Sequence, residues 1–168
     1  MTVEKGARSG WAPRRDLATG IWISKLVEAR FGLHEGPKVS NGRILLVDDE
    51  ERVLFVLGIA LRTLGSDYEI VTAPDGIEAL KRLHEGDVDL MITDLFMPRL
   101  NGIELTEAVR DSGETTSVIW LTAHGCQERC DEARRLHVFS CLDKPVEIDE
   151  IRRVAQEALN ERQPELYS

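Results

Sequence analysis

Four short stretches of this chain carry side chains suited to carboxylate and phosphate chemistry: Asp48-Asp49-Glu50, Asp94, Thr122 and Lys144-Pro145. Adjacent carboxylates joined by a third from elsewhere concentrate negative charge, which is costly unless a cation lies among them. Carboxylate and carbonyl oxygens with few other protein donors suit Mg²⁺, which keeps several waters and favours carboxylates together with phosphate oxygens. A lysine brings the opposite charge on a flexible stem, and a threonine adds a neutral hydroxyl donor. Together these groups are what phosphoryl transfer needs: in-line attack by a nucleophilic carboxylate, with the protein positioning groups and neutralising charge.

For the four stretches to meet, each must stand at the end of an element that delivers it to one place. From Arg43 onward the chain alternates short β-rich apolar runs, at 44–47, 68–73, 88–93, 117–121 and 138–142, with amphipathic stretches at 51–64, 74–83, 102–109, 127–136 and 148–159. Nearly continuous apolar runs, without in–out alternation, are what parallel strands covered by helices on both faces require. The pattern therefore predicts an α/β fold, a doubly wound parallel sheet of five β/α repeats. Gly65-Ser66-Asp67, Ala73-Pro74-Asp75-Gly76 and Glu85-Gly86-Asp87 punctuate the repeats as turns and helix ends. Ligands of such sheets gather at the carboxyl ends of the strands, where strand order reverses. The candidate residues all fall at those ends.

Residues 44–160 resemble the CheY-like receiver domain of two-component response regulators. The resemblance is carried by Ile44-Leu45-Leu46-Val47-Asp48-Asp49-Glu50, by Thr93-Asp94-Leu95-Phe96-Met97-Pro98 with Asn101-Gly102, by Leu121-Thr122-Ala123 and by Asp143-Lys144-Pro145. It implies a five-stranded (βα)5 flavodoxin-like receiver fold and a phosphoacceptor with at most self-catalysed phosphorylation and dephosphorylation. Asp94 would take a phosphoryl group from a sensor histidine kinase or phosphotransfer protein. Asp49 and Asp94 would bind Mg²⁺ directly, Asp48 through water, and Phe96 by its backbone carbonyl. Thr122 would hydrogen-bond the phosphoryl oxygens and Lys144 would pair with them, with a cis peptide bond between Lys144 and Pro145. The chain departs from the resemblance at Cys141, where the family often carries a switching Tyr or Phe three residues before the lysine.

Simpler roles compete with these. Asp48 and Asp49 suit the start of a helix near Glu51, Asp94 suits a turn before Pro98, and Lys144 suits a solvated position beside a proline. A phosphatase of the haloacid-dehalogenase type is the enzymatic alternative, but it wants an acid/base Asp two residues after the nucleophile, where this chain has Phe96. A binding module that is never phosphorylated is the other. Phe96 either packs or shields an acyl phosphate from water, with His124 at the opposite flank. Trp120 reads as core.

The charge divides sharply. Residues 1–43 carry net +4 and residues 44–168 net −13, so the body argues against nucleic acid as a partner. Neither a signal segment nor an apolar run long enough for a membrane span occurs, so a cytoplasmic protein is expected. Cys126, Cys130 and Cys141 are odd in number, lack the paired Cys-x-x-Cys spacing of zinc sites and read as ordinary small residues of a reducing compartment, without a disulfide framework. Residues 1–42 read as a basic extension with one short helix near 21–31 and a linker at 36–42, faintly reminiscent of a helix-turn-helix fragment. Residues 161–168 read as a tail. Output is expected by contact with a downstream protein through the fourth and fifth helices and the strand between them, and homodimer formation stays open.

Overall fold

The computed structural model describes residues 42–65, 68–123 and 125–161. The chain divides between Lys38 and Val39. The expected amino-terminal helix and linker, His124 and the tail beyond Glu161 lie outside the described residues.

The described chain alternates strand and helix: β1 (Gly42–Val47), α1 (Glu51–Arg62), β2 (Tyr68–Ala73), α2 (Gly76–His84), β3 (Leu90–Asp94), α3 (Gly102–Asp111), β4 (Ser117–Thr122), α4 (Cys130–Arg135), β5 (Ser140–Asp143) and α5 (Ile148–Glu161). A 3-10 turn, Gln127–Arg129, leads into α4. All five strands are parallel, in the order β2-β1-β3-β4-β5. The chain leaves β1 to one side for β2 and returns on the other for β3, so the reversal lies between β1 and β3. Their carboxyl ends deliver Asp48-Asp49 and Asp94.

Side chains alternate across a strand, and the core follows suit. Ile44, Leu46, Ile92, Ile119 and Leu121 face α1 and α5, whereas Leu45, Val47, Met91, Val118 and Trp120 face α2, α3 and α4. Both faces are covered by helices, which explains the unbroken apolar runs of β1, β3 and β4. The two edge strands differ from these: β2 and β5 have a single buried residue each, because each has a neighbour on one side only.

Two expected bounds shift for visible reasons. The run at 88–93 joins the sheet only at Leu90, since Val88 is buried ahead of the strand and the Asp89 carboxylate accepts the Arg43 N–H at 2.7 Å. The run at 138–142 becomes strand only at Ser140, after His137 turns the chain with φ of 50°. The expected fourth helix is a 3-10 turn followed by six α-helical residues, and neither piece has a buried residue.

The cysteines require a correction. Cys126 and Cys141 are disulfide-bonded, with Cα atoms 5.7 Å apart, and Cys130 is free and exposed. The two partners are 15 residues apart in sequence. Only the return of the chain from the loop after β4 into β5 brings them together, so their spacing alone carried no sign of it.

Candidate functional site

β1 and β3 end side by side, with Val47 opposite Thr93. The next residue of β1's exit, Asp48, is 1% exposed, and Asp94 is 7% exposed. Burying two carboxylates together requires compensation, and Lys144 supplies it. Its Nζ lies 2.6 Å from Asp48 Oδ2 and 3.4 Å from Asp94 Oδ2. The lysine arrives because β5 pairs with β4, placing Asp143 opposite Thr122, and because the Lys144 N–H donates to the Thr122 carbonyl at 2.7 Å. The Lys144-Pro145 peptide is cis, as the resemblance implies.

The helix-cap role is not the one Asp48 plays. Glu50 is the N-cap of α1 and makes no side-chain cap bond. Asp48 instead accepts the Glu50 N–H on Oδ1 at 2.9 Å and gives its other oxygen to Lys144. Asp49 is exposed. Oxygens of Asp48, Asp49 and Asp94 all lie within 4.8 Å of one another. That cluster of hard anionic donors on a rim open to water fits Mg²⁺.

Burial is the largest influence on Asp94 and pushes its carboxyl above the usual range; Lys144 and the Phe96 N–H pull it down, while nearby Asp48 pushes it up. At Lys144 burial opposes the charge, but the hydrogen bond and charge of Asp48 and the charge of Asp94 more than offset this and hold the ammonium above its ordinary value. The site is therefore carboxylate-rich, with one ammonium already committed. A divalent cation would relieve the remaining repulsion.

The backbone of Asp94 is locked as firmly as its side chain. Its carbonyl accepts the Thr93 hydroxyl at 2.9 Å, and the Leu95 N–H donates to the Leu121 carbonyl at 2.9 Å. Gly102 opens α3 directly against it: a Cβ there would overlap the Asp94 carbonyl oxygen. Asn101 caps the same helix, accepting the N–H groups of Ile103 and Glu104 while the Glu104 carboxylate accepts the Asn101 N–H. The Asn-x-x-Glu spacing from Asn101 to Glu104 is the sequence signature of this capping box. Trp120 is core, fully buried, with its indole N–H donating to the Thr106 hydroxyl at 2.9 Å.

Thr122 is buried at the end of β4, next to the rim. Phe96 is 56% exposed. It belongs to neither core cluster. Cys141, in place of an inward-turning aromatic, packs partly against the core and is tied to Cys126.

Residues 44–156 match the response regulator receiver domain. The chain belongs to this family. The receiver is 38% identical over 121 residues to the transcriptional regulatory protein GlrR of Escherichia coli K12, covering 72% of this chain and 27% of GlrR. It is 37% identical over 109 residues to the sensor histidine kinase RcsC of the same organism, covering 65% of this chain and 11% of RcsC. The chain thus spans about a quarter or less of the length of these relatives. Among solved structures, the receiver resembles chemotaxis protein CheY4 of Vibrio cholerae, with TM-score 0.65 and 29% identity over 70% of this chain and 98% of that one. It also resembles response regulator TrrA of Thermotoga maritima in complex with Mg²⁺ and BeF, with TM-score 0.62 and 32% identity over 70% of this chain and 99% of that one. The receiver fold and a place in phosphorelay signalling follow from these matches.

Proposed function

We propose that Asp94 is the phosphoacceptor of this receiver, taking a phosphoryl group from a phosphohistidine of a sensor histidine kinase or phosphotransfer protein. The observation that carries the reading is the meeting of Asp94 with Asp48, Asp49 and Lys144 on one rim. An Asp94 carboxylate oxygen attacks phosphorus in line, the P–O bond forms as the P–N bond to the donor imidazole breaks, and the imidazole leaves with the electron pair. Asp49, Asp94 and the Phe96 backbone carbonyl would hold Mg²⁺, with Asp48 supporting it, and the ion would neutralise charge on the transferring group. Thr122 donates its hydroxyl to a phosphoryl oxygen, and Lys144 swings its ammonium from Asp48 towards another. The partly exposed Phe96 shields the acyl phosphate and slows its hydrolysis; a Phe96→Asn variant with unchanged phosphate loss would remove that role.

The donor docks beside the rim. Phe55, Val56 and Ile59 of α1 are 70%, 49% and 52% exposed. An apolar stripe on an outward helix face marks a protein contact, and Arg52 with Phe55 sets the choice of donor. The output is contact with a downstream protein, in the cytoplasm, with phosphorylation shifting a two-state equilibrium. No helix among the described residues is long and apolar enough to cross a membrane.

Incubation with acetyl phosphate and Mg²⁺, followed by intact-mass measurement, tests the reading. The native chain gains one phosphoryl group, and Asp94→Asn gains none. An unmodified native chain overturns it.

A further inference from the structure

The disulfide sits where it can act on the site. Cys126 follows Thr122 by four residues and Cys141 precedes Lys144 by three; Lys144 Nζ lies 3.4 Å from Asp94, and Thr122 follows Leu121, the strand partner of Asp94. The far end of the same segment is anchored, by buried Leu136 and by Arg110 and Glu107 of α3, which bond Leu136 and Arg135, whereas its start has fewer ties. The 3-10 turn and α4 have no buried residue, and beyond the disulfide the loop is pinned to β5's end by the Cys126 N–H donating to Asp143 Oδ1 at 3.3 Å. Segments with little buried surface open at low free energy, so a covalent tether decides how freely this one moves.

We infer that Cys126 and Cys141 form a reversible redox pair that clamps the loop after Thr122 to β5 and so tunes phosphorylation of Asp94. Disulfides of proteins working in a reducing compartment are typically transient and redox-sensing, not structural, and the inference rests on the phosphoacceptor and cytoplasmic readings above. Hydrogen peroxide is the oxidant class. One thiolate attacks a peroxide oxygen, breaking the O–O bond to leave a sulfenic acid and one water. The second thiolate attacks that sulfur, forming the S–S bond and releasing the other water, so two thiols lose two protons and two electrons. A dithiol reverses the step by exchange. Transfer to Asp94 brings three phosphoryl oxygens onto the rim between Thr122 and Lys144, and the loop has to adjust around them. The clamped form adjusts less readily and accepts phosphate more slowly.

The test uses the full chain, first reduced with dithiothreitol and then treated with hydrogen peroxide. Intact mass falls by two hydrogens, and peptide mapping finds Cys126 joined to Cys141 with Cys130 open to alkylation. Cys130→Ser leaves this unchanged, whereas Cys126→Ser and Cys141→Ser each abolish it. Hydrogen exchange across 125–135 is about tenfold faster in the reduced protein. Phosphate uptake from acetyl phosphate is at least about threefold faster in the reduced protein, and Cys126→Ser shows the reduced rate with or without peroxide. A crosslink to Cys130, or equal exchange in the two forms, overturns the clamp. Equal uptake rates overturn its coupling to Asp94. A reduced chain that takes no phosphate at all removes the phosphoacceptor reading and the coupling with it, while the exchange measurement still judges the clamp.

Discussion

Asp94 is held in a state that favours reaction over stability. Burial and the proximity of Asp48 raise its pKa, against the pull of Lys144, so ionising it costs the folded protein free energy that Mg²⁺ or a phosphoryl group would return. The sign follows from linkage. A carboxyl whose folded pKa exceeds the unfolded value binds more protons when folded, so stability falls as pH rises from near 3.8 through the raised value and stays reduced above it. In chelator, urea melts of Asp94→Asn at neutral pH should show a more stable protein than the native chain, and the difference should shrink towards pH 3.8 and below. An Asn variant no more stable at neutral pH would mean that Lys144 compensates Asp94 fully. Lys144 itself shows what sequence spacing cannot express. Its closer partner is Asp48 at 2.6 Å, not the proposed phosphoacceptor at 3.4 Å.

Helix placement depends on a few small residues. α3 starts against the Asp94 carbonyl only because Gly102 lacks a Cβ. Gly102→Ala should force the helix start away from the strand end, destabilise the protein by about 1–3 kcal/mol as an overpacked site does, and slow phosphate uptake. Gly58, in the middle of α1, has nothing within 4 Å of the Cβ position. Gly58→Ala should instead stabilise by about 0.5–1 kcal/mol through helix propensity alone. Thermal melts of the two variants separate steric from intrinsic effects, and equal shifts would show that α3 yields freely. The same contrast explains why elements were unequally legible. The long amphipathic stretches of α1 and α5 show in periodicity because each buries a full stripe on the sheet. The 3-10 turn and α4 bury none, so periodicity there had no core to report.

At the scale of the molecule, the acidic body carries both sheet faces and the rim, and the described strands and helices run from Gly42 to Glu161. We propose that this body is self-sufficient. Deleting residues 1–40 should leave a cooperative thermal transition and acetyl-phosphate uptake intact, and loss of either would show that the amino-terminal segment is needed. Output is a separate matter. With Cys141 at the place of an inward-turning aromatic, transmission by the usual threonine-aromatic coupling lacks its second partner, and the Cys126–Cys141 tether occupies that position.

The parallel (βα)5 fold, the strand-end placement of Asp48, Asp49, Asp94, Thr122 and Lys144, and Trp120 as core were all legible along the chain. Each of these is written in local periodicity or in short motifs at element ends, where neighbours in the chain are neighbours in space. Three facts come from the folded chain alone: Lys144 bonds Asp48 more closely than Asp94, Phe96 is more than half exposed, and Cys126 meets Cys141. Those facts depend on strand order and register, which bring together residues far apart in the chain, and no local pattern carries that information.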